Sequence, residues 1–113
     1  MLREILTEDD LQQLLADSRE RPIMLLKHST ACGISARAKA EFDAFCADAV
    51  IECALLLVIQ QRPLSLQCAQ LTGVTHQSPQ ALLLRDGQVA WHASHGGITR
   101  AALTAATHQQ GNR

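Results

Sequence analysis

The sequence has few aromatic residues and almost no excess of charge, and both shortages exclude classes of function. It contains no tyrosine, one tryptophan and two phenylalanines, and its formal net charge is −1 at pH 7. Nucleic-acid-binding proteins need a basic surface for phosphates and often use aromatic rings to stack bases. We therefore expect no nucleic-acid partner.

Long apolar segments are also missing. The longest apolar run, 54–59, is far too short to cross a membrane, and the acidic start MLREILTEDD lacks the pattern of a secretory signal. We therefore expect a cytoplasmic protein with no membrane partner. In that compartment cysteines should be reduced thiols. The four are Cys32, Cys46, Cys53 and Cys68. Neither their spacing nor that of the scattered histidines predicts a metal site.

A chain of 113 residues with 47% hydrophobic residues suits one domain with its own core. No repeat, linker or low-complexity segment divides it. We expect a single domain over residues 1–108, followed by a short frayed tail at 109–113.

The first half of the chain alternates between predicted strands and helices. Uninterrupted apolar runs indicate buried strands at 23–26 and 54–59, and the second is expected to be the central strand. A short edge strand is expected at 3–6, then a helix capped by Thr7. Between the two buried strands, a polar loop at 27–32 leads into an amphipathic helix of about three turns. Its inward residues are predicted to be Ile34, Ala38, Phe42 and Phe45.

Turn and cap signals organise the second half. Pro63 is placed to begin a helix that Gly73 ends. Its buried face is predicted to be Leu64, Cys68 and Leu71. Asp86-Gly87 separates two short segments, 80–85 and 88–92, and predicts a β-hairpin. With a last helix at 98–107, the order is (β)αβαβαββα. Such alternation indicates an α/β protein, and a mixed central sheet flanked by helices with a terminal hairpin is typical of the thioredoxin-like fold.

Cys32 is predicted to lie where a buried strand ends and a helix begins. Backbone N–H groups and the helix dipole stabilise an anion at such a position, which favours the thiolate, the reactive form of cysteine. Lys27 and His28 are close in sequence and would add positive potential. We therefore predict that Cys32 is a nucleophile; the alternative is a small residue at the start of a helix.

Position 35 is serine, so no second thiol follows at the three-residue spacing. The segment Cys-Gly-Ile-Ser cannot close its own disulfide, and another molecule must release a mixed disulfide on Cys32. Cys46 lies about 21 Å further along the same predicted helix, whereas a disulfide needs Cα atoms within about 7 Å. Cys53 and Cys68 are predicted to be buried structural cysteines. Ser35 either contacts the Cys32 sulfur or is an ordinary residue of the first helical turn.

Pro79 belongs to a second candidate segment, 75–80. In a thioredoxin-like fold it would lie opposite the reactive thiol, where a cis peptide bond after Ser78 leaves the preceding backbone free to pair with a substrate. The alternative is a trans proline at the start of an edge strand.

Ser94, His95 and Gly96-Gly97 form a third candidate segment, before the last predicted helix. Glycines allow close backbone approach, and the N–H groups at a helix start can bind a carboxylate. A small acidic thiol would fit there; the alternative is a flexible turn.

Three separated motifs, in this order, resemble those of the monothiol bacilliredoxins, thioredoxin-fold proteins of the bacillithiol redox system. They are KHSTACGIS at 27–35, HQSPQ at 76–80, and WHASH at 91–95 followed by Ile98-Thr99. The resemblance implies that Cys32 attacks mixed disulfides between bacillithiol and proteins. It also implies that Ser78-Pro79 is a cis-proline site and that Ser94 and His95 line the thiol pocket.

The same resemblance implies further site residues and the partners of the protein. The supporting or thiol-binding candidates are Lys27, Ser29, Thr30, Gly33, Ser35, Ser78, Pro79, Ser94, His95 and Gly96. The implied co-substrate is the low-molecular-weight thiol bacillithiol, and no tightly bound cofactor is expected. The implied partners are this thiol and client proteins with mixed disulfides, and the protein is expected to be a monomer.

Two other functions stay open. The segment 32–35 also resembles the Cys-Gly-Phe-Ser motif of monothiol glutaredoxins, and Gly96-Gly97 resembles their glutathione site. That resemblance implies a module for a [2Fe–2S] cluster, held by Cys32 from two copies and by two small thiols. The remaining alternative is a redox-inactive adaptor that binds proteins through the Cys32 face.

Overall fold

A computed structural model describes residues 2–111 of the chain. Strands and helices alternate, and a short 3₁₀ turn at His95–Gly97 precedes the last helix. The elements are β1 (Arg3–Glu4), α1 (Glu8–Asp17), β2 (Ile23–His28), α2 (Gly33–Asp48), β3 (Glu52–Leu57), α3 (Arg62–Thr72), β4 (Gln80–Arg85), β5 (Gln88–Ser94) and α4 (Arg100–Gly111). The predicted α/β class and element order are confirmed. No helix among these residues has the length and hydropathy needed to span a membrane.

The five strands form one mixed sheet in the order β1-β3-β2-β4-β5. Strand β3 is parallel to both β1 and β2, whereas β4 is antiparallel to β2 and β5. The middle strand is therefore β2, and the prediction that 54–59 is the central strand is wrong. An apolar run indicates that a strand is buried on both faces of the sheet. Both β2 and β3 are buried in this way, so the pattern does not show which of them is the middle strand.

Strand β2 continues two residues beyond its predicted end. Lys27 pairs with Gln80 of β4 and with Leu56 of β3, and His28 pairs with Leu57. The backbone carbonyl of His28 also accepts the N–H of Val58 at 2.9 Å. The predicted loop at 27–32 is thus shorter, because strand pairing on both sides overrides the polar character of these two residues.

Alternate residues of β2 face two hydrophobic layers. Ile23 and Leu25 pack with α1 and α3, and Met24 and Leu26 pack with α2 and α4. Because strand residues alternate between faces, Lys27 faces the α1–α3 layer and His28 faces α2.

The predicted caps and turns are present. Thr7 and Asp10 form a reciprocal capping box at the start of α1. Gly73 ends α3 in the left-handed region, at φ +74°. Asp86 and Gly87 both have positive φ, as the tight β4–β5 hairpin requires.

Several predicted helix details are corrected. Ile34 is 58% exposed and Leu71 is 43% exposed, although both were expected to face inward. They lie in the first turn of α2 and the last full turn of α3, where packing against the sheet ends. Helix α2 has 16 residues, more than the three turns expected. Helix α4 begins after the predicted start and continues to Gly111, into the predicted tail; residues 112 and 113 lie outside the described residues.

Candidate active site

Cys32 lies at the end of the turn that joins β2 to α2. Its N–H donates to the carbonyl of Ser29 at 3.4 Å, and its own carbonyl accepts the N–H of Ala36 at 3.0 Å. Cys32 is therefore the N-cap residue of α2, and its side chain makes no capping hydrogen bond. The thiol is free and half-buried. The predicted position at a strand–helix junction is confirmed.

Ser35 holds this turn from inside the protein. Its fully buried hydroxyl accepts the N–H of Ser29 at 2.9 Å and lies 2.8 Å from Nδ1 of His28. Burial, together with the nearby Lys39, lowers the pKa of His28, which favours the neutral ring. A neutral ring can share one hydrogen bond with the Ser35 hydroxyl at Nδ1. Among the described residues the partners of this hydroxyl are thus Ser29 and His28 rather than the Cys32 sulfur.

The segment 73–79, which joins α3 to β4 and is here called the proline loop, contributes a second part of the site. The Ser78–Pro79 peptide bond is cis. The carbonyl of Pro79 accepts the N–H of His95 at 3.1 Å, which joins the loop to the 3₁₀ turn before α4. Ser78 and Cys32 line one cavity, so the structure brings these two candidates together.

This cavity, here called the Cys32 cavity, has a volume of about 270 Å³. It lies between the Cys32 turn, the segment after β3, the start of α3 and the proline loop. Its lining residues are Ser29, Cys32, Val58, Ile59, Arg62, Ser65, Leu66, His76 and Ser78. Sequence reasoning assigned no site role to Arg62, Ser65 or His76. One signal was available: the carboxyl ends of parallel strands lie at one edge of a sheet, so the segments that follow β2 and β3 must meet.

Three other candidates do not line the Cys32 cavity. His95 and Gly96 line a separate cavity of about 330 Å³ beside the first turns of α2, and Cys32 does not line it. Ser94 pairs with Gln80 and lines a third hollow together with Thr75. Ser94, His95 and Gly96 are therefore not among the residues that line the Cys32 cavity, although the His95 N–H contacts the proline loop. A side chain at position 96 would meet nothing within 4 Å, so packing does not require this glycine.

Three remaining candidates, Thr30, Gly33 and Lys27, differ in position and exposure. Thr30 is exposed in the middle of the Cys32 turn, and Gly33 is the first residue of α2. Lys27 is completely buried, and its Nζ donates to Oε1 of Gln80 at 3.2 Å. Burial lowers the pKa of Lys27. Its position in β2 means that Lys27 lies beneath the site rather than on the surface beside the thiol.

The charges that act on His76, one of the residues that line the Cys32 cavity, are positive. Burial lowers the pKa of His76, and the charges of Lys27 and Arg62 lower it further. Arg62 is exposed at the first position of α3 and makes no ion pair with any acidic side chain of the described residues. The cavity is therefore an electropositive environment beside a thiol.

The other three thiols are remote from Cys32 or enclosed. Cys46 lies near the end of α2, about 21 Å along the helix axis from Cys32. Cys53 pairs with Met24, at the opposite end of β3 from the site. Cys68 is fully buried, which raises its pKa. The predicted burial of Cys53 and Cys68 is confirmed, and none of the three is placed to resolve a disulfide on Cys32.

Solved structures share this fold. One, described as an oxidoreductase with a thioredoxin fold, is 32% identical, covers 94% of this chain and 93% of its own, and superposes with a TM-score of 0.86. Thioredoxin from Fasciola hepatica is 20% identical, with a TM-score of 0.75 over 95% of this chain and 97% of its own. Thioredoxin from Trypanosoma brucei brucei is 10% identical, with a TM-score of 0.80 over 100% of this chain and 93% of its own. The last two comparisons show the fold alone.

A family model adds the type of site to the fold. The model described as Monothiol bacilliredoxin BrxC matches residues 3–103, almost the whole chain. Cys32 at the start of α2, with serine at position 35, agrees with a single-thiol site. The chain belongs to the monothiol bacilliredoxin family, and it is a thioredoxin-fold thiol oxidoreductase.

Proposed function

We propose that this protein removes bacillithiol, or a similar small thiol, from mixed disulfides on client proteins. The observation that carries the proposal is the position of Cys32. It is a free, half-buried thiol at the N-cap of α2, and it shares a cavity with Ser78 of the cis-proline loop. The attacking species in thiol–disulfide exchange is the thiolate.

The reaction is two successive thiol–disulfide exchanges. The Cys32 thiolate attacks the bacillithiol sulfur of the mixed disulfide. A new disulfide forms between Cys32 and bacillithiol, and the client leaves as a thiolate that takes a proton from solvent. A second bacillithiol thiolate then attacks the bacillithiol sulfur on Cys32. Bacillithiol disulfide is released, and Cys32 returns to its reduced form.

The second step needs an external thiol because of residue 35. Ser35 occupies the position of a second thiol, and its hydroxyl is engaged by Ser29 and His28. We propose that the small thiol and the clients are the partners of a monomer acting in the cytoplasm, where thiols are kept reduced.

Mass spectrometry of the reduced protein tests this function. The protein is exposed briefly to bacillithiol disulfide or, separately, to glutathione disulfide, alongside the Cys32→Ser variant and the Cys46→Ser control. We expect a fast bacillithiol adduct on Cys32 in the wild type and in Cys46→Ser, and none in Cys32→Ser. Mixing the wild type with a client carrying bacillithiol should then transfer the same adduct to Cys32.

Other outcomes favour the alternatives. A preference for glutathione would change the small thiol but keep the exchange chemistry. A brown dimer that loses its colour in Cys32→Ser would favour a [2Fe–2S] module. Failure of both disulfides to modify Cys32, or equal modification of all four cysteines, would exclude the redox function and leave the adaptor.

A further inference from the structure

Three buried polar atoms without partners belong to residues that line the Cys32 cavity. Ser65 Oγ, His76 Nδ1 and Ser78 Oγ are shielded from solvent and find no hydrogen-bond partner within the described residues. The fourth such atom, Arg85 Nε, belongs to a residue that does not line this cavity. Buried polar atoms are normally hydrogen-bonded, because an unpaired one is destabilising. Three of them beside one thiol therefore indicate hydrogen bonds to a bound molecule.

Ser65 gives the clearest evidence. Ser65 is only 1% exposed, and it is the fourth residue of α3. A hydroxyl in a helix commonly donates to the carbonyl four residues earlier. Thr72 and Thr107 do so in this protein, at 2.8 and 3.0 Å. Ser65 does not, so its hydroxyl has no hydrogen-bond partner within the described residues, although Ser65 lines the cavity.

The charge of the cavity indicates the chemistry of that group. The charged side chains that act on His76 are Lys27 and Arg62, both cationic. The cavity also lies against the start of α3, where no side chain caps the free N–H groups. Hydrogen-bond donors, positive charge and a helix N-terminus together favour a carboxylate.

We infer that the Cys32 cavity binds a carboxylate of the small thiol while its sulfur meets Cys32. Arg62 supplies the charge at the mouth of the cavity, and Ser65 and His76 donate hydrogen bonds deeper inside it. A volume of about 270 Å³ suits part of a small molecule. This inference rests on the proposed function and specifies which small thiols the site prefers.

Two thiols that differ in charge test the inference. The reporter is an uncharged fluorescent cysteine peptide that carries either mercaptosuccinate, with two carboxylates, or thioglycerol, with two hydroxyls, as a mixed disulfide. The rate constant for transfer of each thiol to Cys32 is measured for the wild type, Arg62→Gln and Ser65→Ala. Arg19→Gln is the matched control, because Arg19 lies beside Gly87 at the hairpin, at the other end of the sheet.

The wild type and Arg19→Gln should transfer mercaptosuccinate about tenfold faster than thioglycerol, the factor expected for one charge-assisted hydrogen bond. Arg62→Gln and Ser65→Ala should lose most of this preference, so that their mercaptosuccinate and thioglycerol rates become similar. Ser65→Ala should also unfold at the same temperature as the wild type or higher, because it removes an unpaired buried hydroxyl. If the Ser65 hydroxyl were needed only for folding, Ser65→Ala would unfold at a lower temperature than the wild type.

Equal wild-type rates with the two thiols would overturn the inference while leaving exchange at Cys32 intact. Equal slowing of both thiols by Arg62→Gln would also overturn it, because that result describes a general effect on the site. A third reporter, with an aspartate in the peptide and thioglycerol on its cysteine, tests the client as the source of the carboxylate. If Arg62→Gln slows only this reporter, the cavity binds clients. Absence of any transfer would instead contradict the proposed function.

Discussion

The hydroxyl of Ser35 accepts the backbone N–H of Ser29 across the turn that carries Cys32, at 2.9 Å. The same hydroxyl lies 2.8 Å from Nδ1 of His28, in the last position of β2. One fully buried side chain therefore ties the end of a strand to the start of a helix. The position that would hold the second thiol of a dithiol protein here fixes the geometry of the first.

Replacing Ser35 tests this role. Ser35→Ala leaves the Ser29 N–H and the His28 ring without their partner inside the protein, and it should lower the free energy of unfolding by about 1–3 kcal/mol. The rate of thiol exchange at Cys32 should fall, because the turn is no longer held. Urea unfolding and stopped-flow exchange measure the two effects. Thr104→Ala, at an exposed position of α4, should change stability by less than about 0.5 kcal/mol. If Ser35→Ala has the same midpoint of urea unfolding as the wild type, this role of Ser35 is contradicted.

Local signals predicted most of the fold. The Thr7 cap, the Gly73 stop and the Asp86-Gly87 hairpin depend on a few neighbouring residues, and all three are present. The middle position of β2 depends on β3 and β4, which lie far away in the sequence. For the same reason the sequence did not predict that Lys27 belongs to the strand, since its pairing with Gln80 crosses 53 positions.

The site likewise has a part that local sequence predicts and a part that depends on distant segments. Cys32 could be predicted as a site residue because the sequence shows a strand, a short loop and then a helix that begins at this cysteine. Its cavity is completed by Arg62, Ser65 and His76, from two other segments, and only the strand order brings them together. His95 and Gly96 were expected beside the thiol, but the first turns of α2 give them a cavity of their own.

The four thiols should react in two groups. Cys32 and Cys46 are half-buried, whereas Cys53 and Cys68 are buried. The neighbouring Cys46 thiol raises the pKa of Cys53, and the Cys53 thiol lowers that of Cys46. Burial also raises the pKa of Cys53 and Cys68. Brief treatment of the native protein with iodoacetamide should therefore label Cys32 and Cys46 first, as followed by peptide mass spectrometry. In urea all four should react. Fast labelling of Cys68 in the native protein would contradict its enclosed position.

Two glycines should respond in opposite ways to alanine. Gly33 begins α2, and a Cβ there meets nothing within 4 Å, so Gly33→Ala should raise the free energy of unfolding by about 0.5–1 kcal/mol. Gly73 has φ +74°, where a Cβ is strained, so Gly73→Ala should lower it by about 1 kcal/mol. Gly33→Ala keeps its backbone N–H and should keep the exchange rate. Thermal unfolding compares the pair, and a loss of stability in Gly33→Ala would show that the helix start needs a glycine conformation.

Stability should decrease as the pH falls from 7.5 to 5.5. Burial lowers the pKa of His28 and His76 in the folded protein below the unfolded value of about 6.5. In this range the unfolded chain binds protons that the folded protein excludes, so acid favours unfolding, while carboxylates stay ionised. His28→Gln should show a smaller decrease between the two pH values in urea unfolding. His92→Gln, at an exposed position of β5, should retain the full decrease. If the wild type is equally stable at both pH values, His28 is not held as a neutral ring against Ser35, and another interaction must fix the Cys32 turn.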